Sequence, residues 1–219
     1  MTVSVDNFIK TVYKQSKLPN ADTRLSTLAR LLNISNAAAT DMARKLATKQ
    51  LVNYTKYKPL TLAEKGNELA LNVIRKHRLW ESFLYKTLNL SLHEIHVEAE
   101  ELEHLTSDFL ANEIEKYLGN PSFDPHGDPI PTFTGKLQTD SSQILLSEAK
   151  AGFNYTIARL SSSDKDFFDF CKTNNIAIGS SIWVEKQYHS PKMTEININK
   201  NKIILNDDFT NIIFVKPVN

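Results

Sequence analysis

Apolar residues recur at helical spacing through the first quarter of the chain: Val5, Phe8, Ile9, Val12 and Tyr13, then Leu25, Leu28, Ala29 and Leu32, then Ala38, Met42, Leu46 and Leu51. That period predicts three amphipathic helices. The first starts at Ser4 or Asp6 and ends near Lys17, where "LPNADT" breaks the pattern. The second covers "RLSTLARLLN"; the third lies in "ISNAAATDMARKLATKQLV", with Ser35 as its N-cap. Two short helices joined by the tight "NIS" turn predict a helix-turn-helix. The pattern then changes. "LVNYTKYKPLTLAEKG" alternates apolar and polar positions around Lys56, Tyr57 and Lys58, which predicts a two-stranded wing with a basic tip.

Helical spacing returns from about Leu62 to Leu88, including "RKHRLWESFL", and again in "HVEAEELEHL" at residues 96–105. "GNPSFDPHGDPIP" reads as a proline-rich exit and "TFTGKLQTDSS" as a linker. Beyond it, "ILLSEAKAGFNYTIARL", "SSIWVEKQY", "MTEININKNKIILN" and "NIIFVKPV" predict short strands with Gly and Asn turns, and "DFFDFCKTNN" a short helix among them. The expected fold is mainly α, with a winged helix-turn-helix first and a small β-barrel from about residue 142 onward.

Length and composition are those of a soluble globular protein with material for one large domain or two smaller ones. No apolar run approaches the ~20 residues that span a bilayer, and "MTVSVDNFIKTVYKQSK" lacks the features of a signal peptide. The single cysteine, Cys171, excludes an intramolecular disulfide framework and a thiolate zinc cluster. A cytoplasmic protein is expected. Charge sharpens this picture. The net +1 conceals a first segment, residues 1–60, with ten Lys/Arg against three Asp/Glu, and a second, residues 61–120, with six against eleven. A basic quarter followed by an acidic, histidine-rich middle predicts one polyanion partner and one cation partner.

The cation reading rests on one stripe. At about 100° per residue, His96, Glu100, Glu103 and His104 fall within roughly a third of a helix circumference, with no Lys or Arg among them. An exposed helix face more often pairs its acids with Lys or Arg at i+4. Carboxylate with neutral imidazole is a ligand set for divalent first-row metals. From the helix alone, a metal site and a solvated acidic face both stay open. His77 and Glu81, at i and i+4 on the long helix, share a face and look like the opposite wall of a metal site.

The polyanion reading rests on the order helix, helix, small-residue helix, basic hairpin. The small residues Ser35, Ala37, Ala38, Ala39 and Thr40 suit the start of a recognition helix, where backbone must approach base edges, and Asn36 is a DNA-binding candidate beside them. Thr40 and Arg44 are candidates for base or phosphate contact, with Lys45 beside them; Lys56 and Lys58 are candidate phosphate clamps. Double-stranded DNA is the expected partner, with no membrane and no small organic substrate.

The winged helix, "RKHRLWESFL", "VEAEELEHLTSD" and "DPHGDPIP" together resemble the diphtheria toxin repressor family of metal-dependent transcriptional regulators, including its manganese-responsive branch. The resemblance covers nearly the whole chain. It implies a winged helix at 1–62, a helical metal-binding and dimerisation domain at 63–135, a linker at 136–141 and an SH3-like (FeoA-type) domain at 142–219. It also implies a homodimer that binds a palindromic operator when loaded with metal, repressing metal-uptake genes. Metal would tie the first helix to the sensor helix and so restrict the orientation of each winged helix.

By the same resemblance, Glu100, Glu103 and His104 fall on the regulatory metal site, and His77, Glu81 and His96 on an ancillary one. Glu100 stands where iron-responsive members often carry cysteine, and an oxygen ligand there favours Mn²⁺, with Fe²⁺ also an effector. Asn7 stands where the family has Asp or Met and offers only an amide oxygen. Lys10 stands where one manganese branch has Glu; an ammonium cannot coordinate, a departure from that branch's two-manganese arrangement. Asp164, in "SSSDKD", is the candidate oxygen ligand from the barrel.

Two rivals come from other classes. A carboxylate-bridged di-metal enzyme needs two Glu-x-x-His repeats, and Glu101–His104 supplies one. "HEIH" at 93–96 falls one residue short of the zincin spacing. A non-enzyme is therefore expected. The remaining alternative is a winged-helix regulator of a non-metal signal whose His/Glu cluster is structural.

Overall fold

The computed structural model describes residues 3–18, 20–138 and 140–218. Pro19, within the predicted "LPNADT" break, Thr139, within the predicted linker, and the ends of the predicted first and last domains at Met1, Thr2 and Asn219 lie outside the described residues. By compactness the chain divides into two units that are discontinuous in sequence.

The first unit takes in residues 1–77, 100–113 and 131–137. Helix α1 (Val3–Ser16) buries the apolar positions expected of it, Val5, Phe8, Ile9, Val12 and Tyr13. Helix α2 (Leu25–Leu31) buries Leu28 and Ala29. Asn33, at φ 52°, turns the chain in the left-handed region. Ser35 then caps α3 (Asn36–Thr48), its side chain accepting from Ala38 N at 3.1 Å. The helix-turn-helix is thus set by local chemistry. The inward face of α3 differs from the expected one: Ala39, Ala43 and Leu46 are buried, Ala38 is exposed and Met42 half-buried. The run Ala37–Ala39 offers small side chains in every direction, so periodicity alone placed the face one residue early.

The wing is shorter than its alternating pattern suggested. Strands β1 (Val52–Asn53) and β2 (Thr61–Leu62) are two residues each and pair antiparallel, Val52 opposite Leu62. Tyr57, at the tip, is 91% exposed. Helix α4 (Glu64–Leu88) begins two residues later than expected. A Cβ on Gly66 would lie 1.9 Å from the Leu51 carbonyl oxygen, so only glycine lets the first turn of α4 approach the wing's base. Helix α5 (Leu92–Leu102) and helix α6 (Asp108–Leu118) follow. Leu137, expected in a linker, packs against the winged-helix core.

The second unit takes in residues 78–99, 114–130 and 138–219. Strands β3 (Ile144–Leu145), β4 (Phe153–Leu160), β5 (Ser181–His189), β6 (Lys192–Ile198), β7 (Asn201–Asn206) and β8 (Ile213–Pro217) form one sheet in the order β3-β8-β4-β5-β6-β7. Every pairing is antiparallel. Helix α7 (Lys165–Thr173), the short helix expected from "DFFDFCKTNN", turns Phe167, Phe168 and Cys171 into the core; a last short helix α8 (Asp207–Thr210) precedes β8. The winged helix and the SH3-like sheet domain are therefore present in the expected order.

Candidate metal centre and DNA-binding face

The N-terminal turn of α3 presents Asn36, Ala37 and Ala38 to solvent. Ser35 is engaged in its cap, and Thr40 Oγ1 donates back to Asn36 O at 2.7 Å. Arg44 and Lys45 are exposed on the same helix, Lys45 against Asp41 at 2.7 Å. Lys58 is exposed, and Lys56 sits 4.8 Å over the Tyr57 ring at the wing tip. Small residues at a helix start flanked by exposed cations form a surface that duplex DNA can approach closely.

In the first unit, α1 meets the C-terminal part of α5. Lys10 is buried, and its Nζ donates to both oxygens of Glu100 (2.9 and 2.8 Å) and to Glu103 Oε1 (2.5 Å). His77 Nδ1 lies 2.7 Å from Glu103 Oε2, so His77 joins the group containing Glu100 and Glu103. His104 stands between Asp6 (Nδ1 to Oδ2, 3.5 Å) and Glu103 (Nε2 to Oε1, 3.3 Å). Burial pushes the Glu100 carboxyl up, but the charge and hydrogen bonds of Lys10 outweigh it and hold the group below its ordinary value.

In the second unit, Glu81 on α4 faces His96 on α5, Oε1 to Nδ1 at 3.1 Å. His126 arrives from the loop after α6, its Nε2 3.4 Å from the same Glu81 oxygen and its ring 6.5 Å from that of His96. The loop is a hydrogen-bonded turn. Asp124 Oδ1 accepts from the backbone N–H groups of His126 and Asp128, both at 2.9 Å. Gly127 follows at φ 83°, and a Cβ there would stand 2.1 Å from the Ala158 carbonyl oxygen. Leu160 N donates to His126 O at 2.9 Å, and Phe168 of α7 packs on the imidazole at 5.2 Å. Burial pushes the His126 imidazole down, yet attraction to Glu81, Asp124 and Asp128 raises it overall. Asp124 is pushed well up by burial and by the neighbouring Asp128 and Glu81.

The two clusters differ as hosts for a divalent cation, which needs lone pairs not committed elsewhere. The Glu81 contact at 3.4 Å is an ion-pair contact without hydrogen-bond geometry, so both His126 ring nitrogens are buried without a hydrogen bond. Beside a carboxylate and a second imidazole, that orphaned ring fits a metal ligand. The first cluster also has buried, unbonded atoms: Asp6 Oδ1, Asn7 Oδ1 and both His104 ring nitrogens. Both Glu100 oxygens and Glu103 Oε1, however, are held by Lys10, Glu103 Oε2 faces His77, and with the ammonium in place the set does not fit a cation.

Asp164 caps α7, its Oδ1 accepting from Phe167 N at 2.9 Å. His93 reaches the adjacent Ser163 carbonyl at 3.2 Å, so the barrel's "SSSDKD" segment does lie against α5. Asp6 and His126 were not among the sequence-derived candidates. Asp6 is one position from Asn7 on the same helix, and its burial depends on packing. His126 sits in a proline-rich turn with no periodicity to assign it a face; the one signal is a histidine flanked by Asp124 and Asp128 at fixed turn spacing.

Residues 1–60 match the family model for the iron-dependent repressor N-terminal DNA-binding domain, and residues 63–132 that for the iron-dependent repressor metal-binding and dimerisation domain. An uncharacterised HTH-type transcriptional regulator of Methanocaldococcus jannaschii is 35% identical over 118 residues, 54% of this chain and 94% of that protein. The iron-dependent repressor IdeR of Mycobacterium tuberculosis is 30% identical over 128 residues, 58% of this chain and 55% of IdeR, so the match spans about half of that relative. Among solved structures, a manganese-dependent transcriptional repressor in complex with manganese superposes with a TM-score of 0.90 at 29% identity, covering 98% of this chain and 100% of that one. The manganese regulator SloR superposes at 0.82 with 26% identity over the full length of both chains. With both domain models matched in succession over its first 132 residues, the chain belongs to the iron-dependent repressor family of metal-dependent transcriptional regulators.

Proposed function

We propose that this chain is a transcriptional repressor that binds a palindromic operator as a homodimer when loaded with Mn²⁺ or Fe²⁺, and that it controls metal-uptake genes in the cytoplasm. The observation that carries the reading is the buried His126, its ring nitrogens without hydrogen bonds beside Glu81 and His96. Glu81, His96 and His126 are the residues that would hold the ion. A bound divalent cation supplies the positive charge that two imidazoles and a carboxylate lack among themselves. No thiolate contributes, which suits Mn²⁺ and Fe²⁺, although Zn²⁺ generally binds such ligands more tightly than Mn²⁺.

The chain's own residues do the rest. Asp124 and Gly127 hold the His126 turn in one conformation, and Arg78 fixes it from α4 through Asp124 Oδ2 (3.5 Å), Asp128 (3.3 Å) and the Pro129 carbonyl. Asn36, Ala37, Ala38 and Thr40 face the major groove, while Arg44, Lys45, Lys56 and Lys58 take phosphates. Two such faces about one DNA turn apart engage two half-sites, which requires two copies of the chain. Leu105 and Phe109 of the first unit are 85% and 74% exposed, apolar surface available to a second copy. The junction between the two matched regions, just after Leu60, supports a DNA-binding part at 1–62 followed by a metal-binding part at 63–135. The chain acts by binding, as the regulators of its family do.

The test is selection of duplexes from a randomised library in Mn²⁺, followed by titration of the selected duplex in Mn²⁺ and in EDTA. Tight binding in Mn²⁺ alone is expected, and His126→Ala should lose that response. Equal affinity in both buffers would sink the reading.

A further inference from the structure

Lys10 is a buried charged side chain that the proposed function does not use. It stands in the middle of the first helix, is 5% exposed, and points its ammonium into three carboxylate oxygens, two of Glu100 on α5 and one of Glu103 just past the end of α5. Glu103 is 2% exposed, so two opposite charges meet away from water. A buried ammonium persists only when its donors are satisfied, and here Glu100 and Glu103 satisfy all three. Nearby lie further buried side-chain atoms without hydrogen bonds: the acceptor oxygens Asp6 Oδ1 and Asn7 Oδ1 and the His104 ring nitrogens. This is a pocket of metal-type ligands with a cation of the protein's own at its centre.

We propose that Lys10 is a built-in counter-cation: its ammonium fastens α1 to α5 through Glu100 and Glu103 without a metal ion, and it keeps divalent metal out of that cluster. The geometry gives both halves. Lys10 bridges two residues that lie 90 and 93 positions away in sequence, so the attachment of the first helix of the winged helix is set by the chain alone. A divalent ion seated on the same oxygens would lie beside the ammonium, like charge against like in a buried setting, and would have to expel it. The metal response then belongs to Glu81, His96 and His126, an assignment that rests on the proposed function. The role of Lys10 is testable apart from it.

Isothermal titration with Mn²⁺ on the full chain and on Lys10→Met compares the number of ions bound. Lys10→Met removes the charge and keeps the length of the side chain. One additional Mn²⁺ per chain is expected, with the extra event lost again in Lys10→Met/Glu103→Gln. An unchanged stoichiometry overturns the proposal. The comparison is repeated on a His126→Ala background: the gain from Lys10→Met must persist there, whether or not His126→Ala abolishes the parent's own binding. Failure of the His126 site and failure of the Lys10 role are thereby told apart.

A second measurement uses the parent chain without substitution. Reductive methylation read by mass spectrometry should find Lys10 protected in EDTA and equally protected in saturating Mn²⁺, against full modification in denaturant. Exposure of Lys10 on adding Mn²⁺ would mean that the ion displaces the ammonium, and the proposal falls. Lys10→Arg, which keeps a cation, should bind the same number of Mn²⁺ as the parent.

Discussion

Cys171 is enclosed by the core of the second unit, and burial pushes its thiol up to about 12. The thiolate is the reactive form, so at pH 8 almost none is present in the folded chain. Iodoacetamide should leave Cys171 unmodified in buffer and label it fully in urea; labelling of the native protein would contradict the burial. Asp164 carries a second residue-scale expectation. As N-cap of α7 it accepts from Phe167 N at 2.9 Å, and Asp164→Ala should cost about 1 kcal/mol of stability by denaturant titration. Asp164→Ser keeps a capping oxygen and should recover most of that loss, which separates the cap from any ligand role. Both residues illustrate what a sequence hides. The lone cysteine and the acidic residue before "KDFF" are visible, but whether each is enclosed or engaged depends on neighbours far along the chain.

Elements carry more of their own information. The Ser35 cap, the left-handed Asn33 and the helical spacing of α1 are local, and the sequence locates the helix-turn-helix from them. The face of α3 is not local. Ala37, Ala38 and Ala39 are equivalent by composition, and contact with the core of α1 and α2 is what buries Ala39 and Ala43 in place of Ala38 and Met42. Leu46 lies in that core at 1% exposure, and Leu46→Ala should destabilise the first unit by about 2–5 kcal/mol. At the His126 turn, Gly127→Ala meets both a positive φ and the Ala158 carbonyl oxygen, so it should cost more than about 1 kcal/mol. The displaced turn would also weaken Mn²⁺ binding in isothermal titration. A Gly127→Ala variant with parental stability and affinity would mean the turn is not held against β4.

At the scale of the whole molecule the described residues include one hydrophobic core in the winged helix and another in the sheet domain. A metal held by Glu81, His96 and His126 binds the folded second unit, and by mass action 100-fold excess over its Kd stabilises that unit by about 2.7 kcal/mol. Calorimetry in EDTA and in Mn²⁺ should therefore raise the transition of the second unit more than that of the first. A larger shift in the first unit would place the ion with Glu100 and Glu103 instead. The charge asymmetry acts at this scale as well. Removing a phosphate contact by Arg44→Ala or Lys56→Ala should flatten the dependence of log affinity on log salt by roughly one unit of slope. Metal binding should be unaffected, and an unchanged slope in both variants would remove them from the interface.

Sequence alone determined what depends on neighbours a few positions away: helices from apolar period, a turn at "NIS" and a cap from Ser35, strands from alternation, and a ligand-rich run at His96, Glu100, Glu103 and His104, although α5 ends at Leu102 and leaves Glu103 and His104 in the turn after it. Charge counted by segment, with the family resemblance, was enough to expect DNA at one end and metal in the middle. Tertiary structure alone decided which of those ligands keep company. Packing brings His77 Nδ1 to Glu103, and it sets Glu81 beside His96 and beside His126 from a distant loop. It also put Lys10 onto Glu100 and Glu103 across some ninety residues. The physical reason is reach. Backbone periodicity fixes a side chain's direction within its own element, but the partner that neutralises a buried charge is chosen by packing, and packing is not written in any local window.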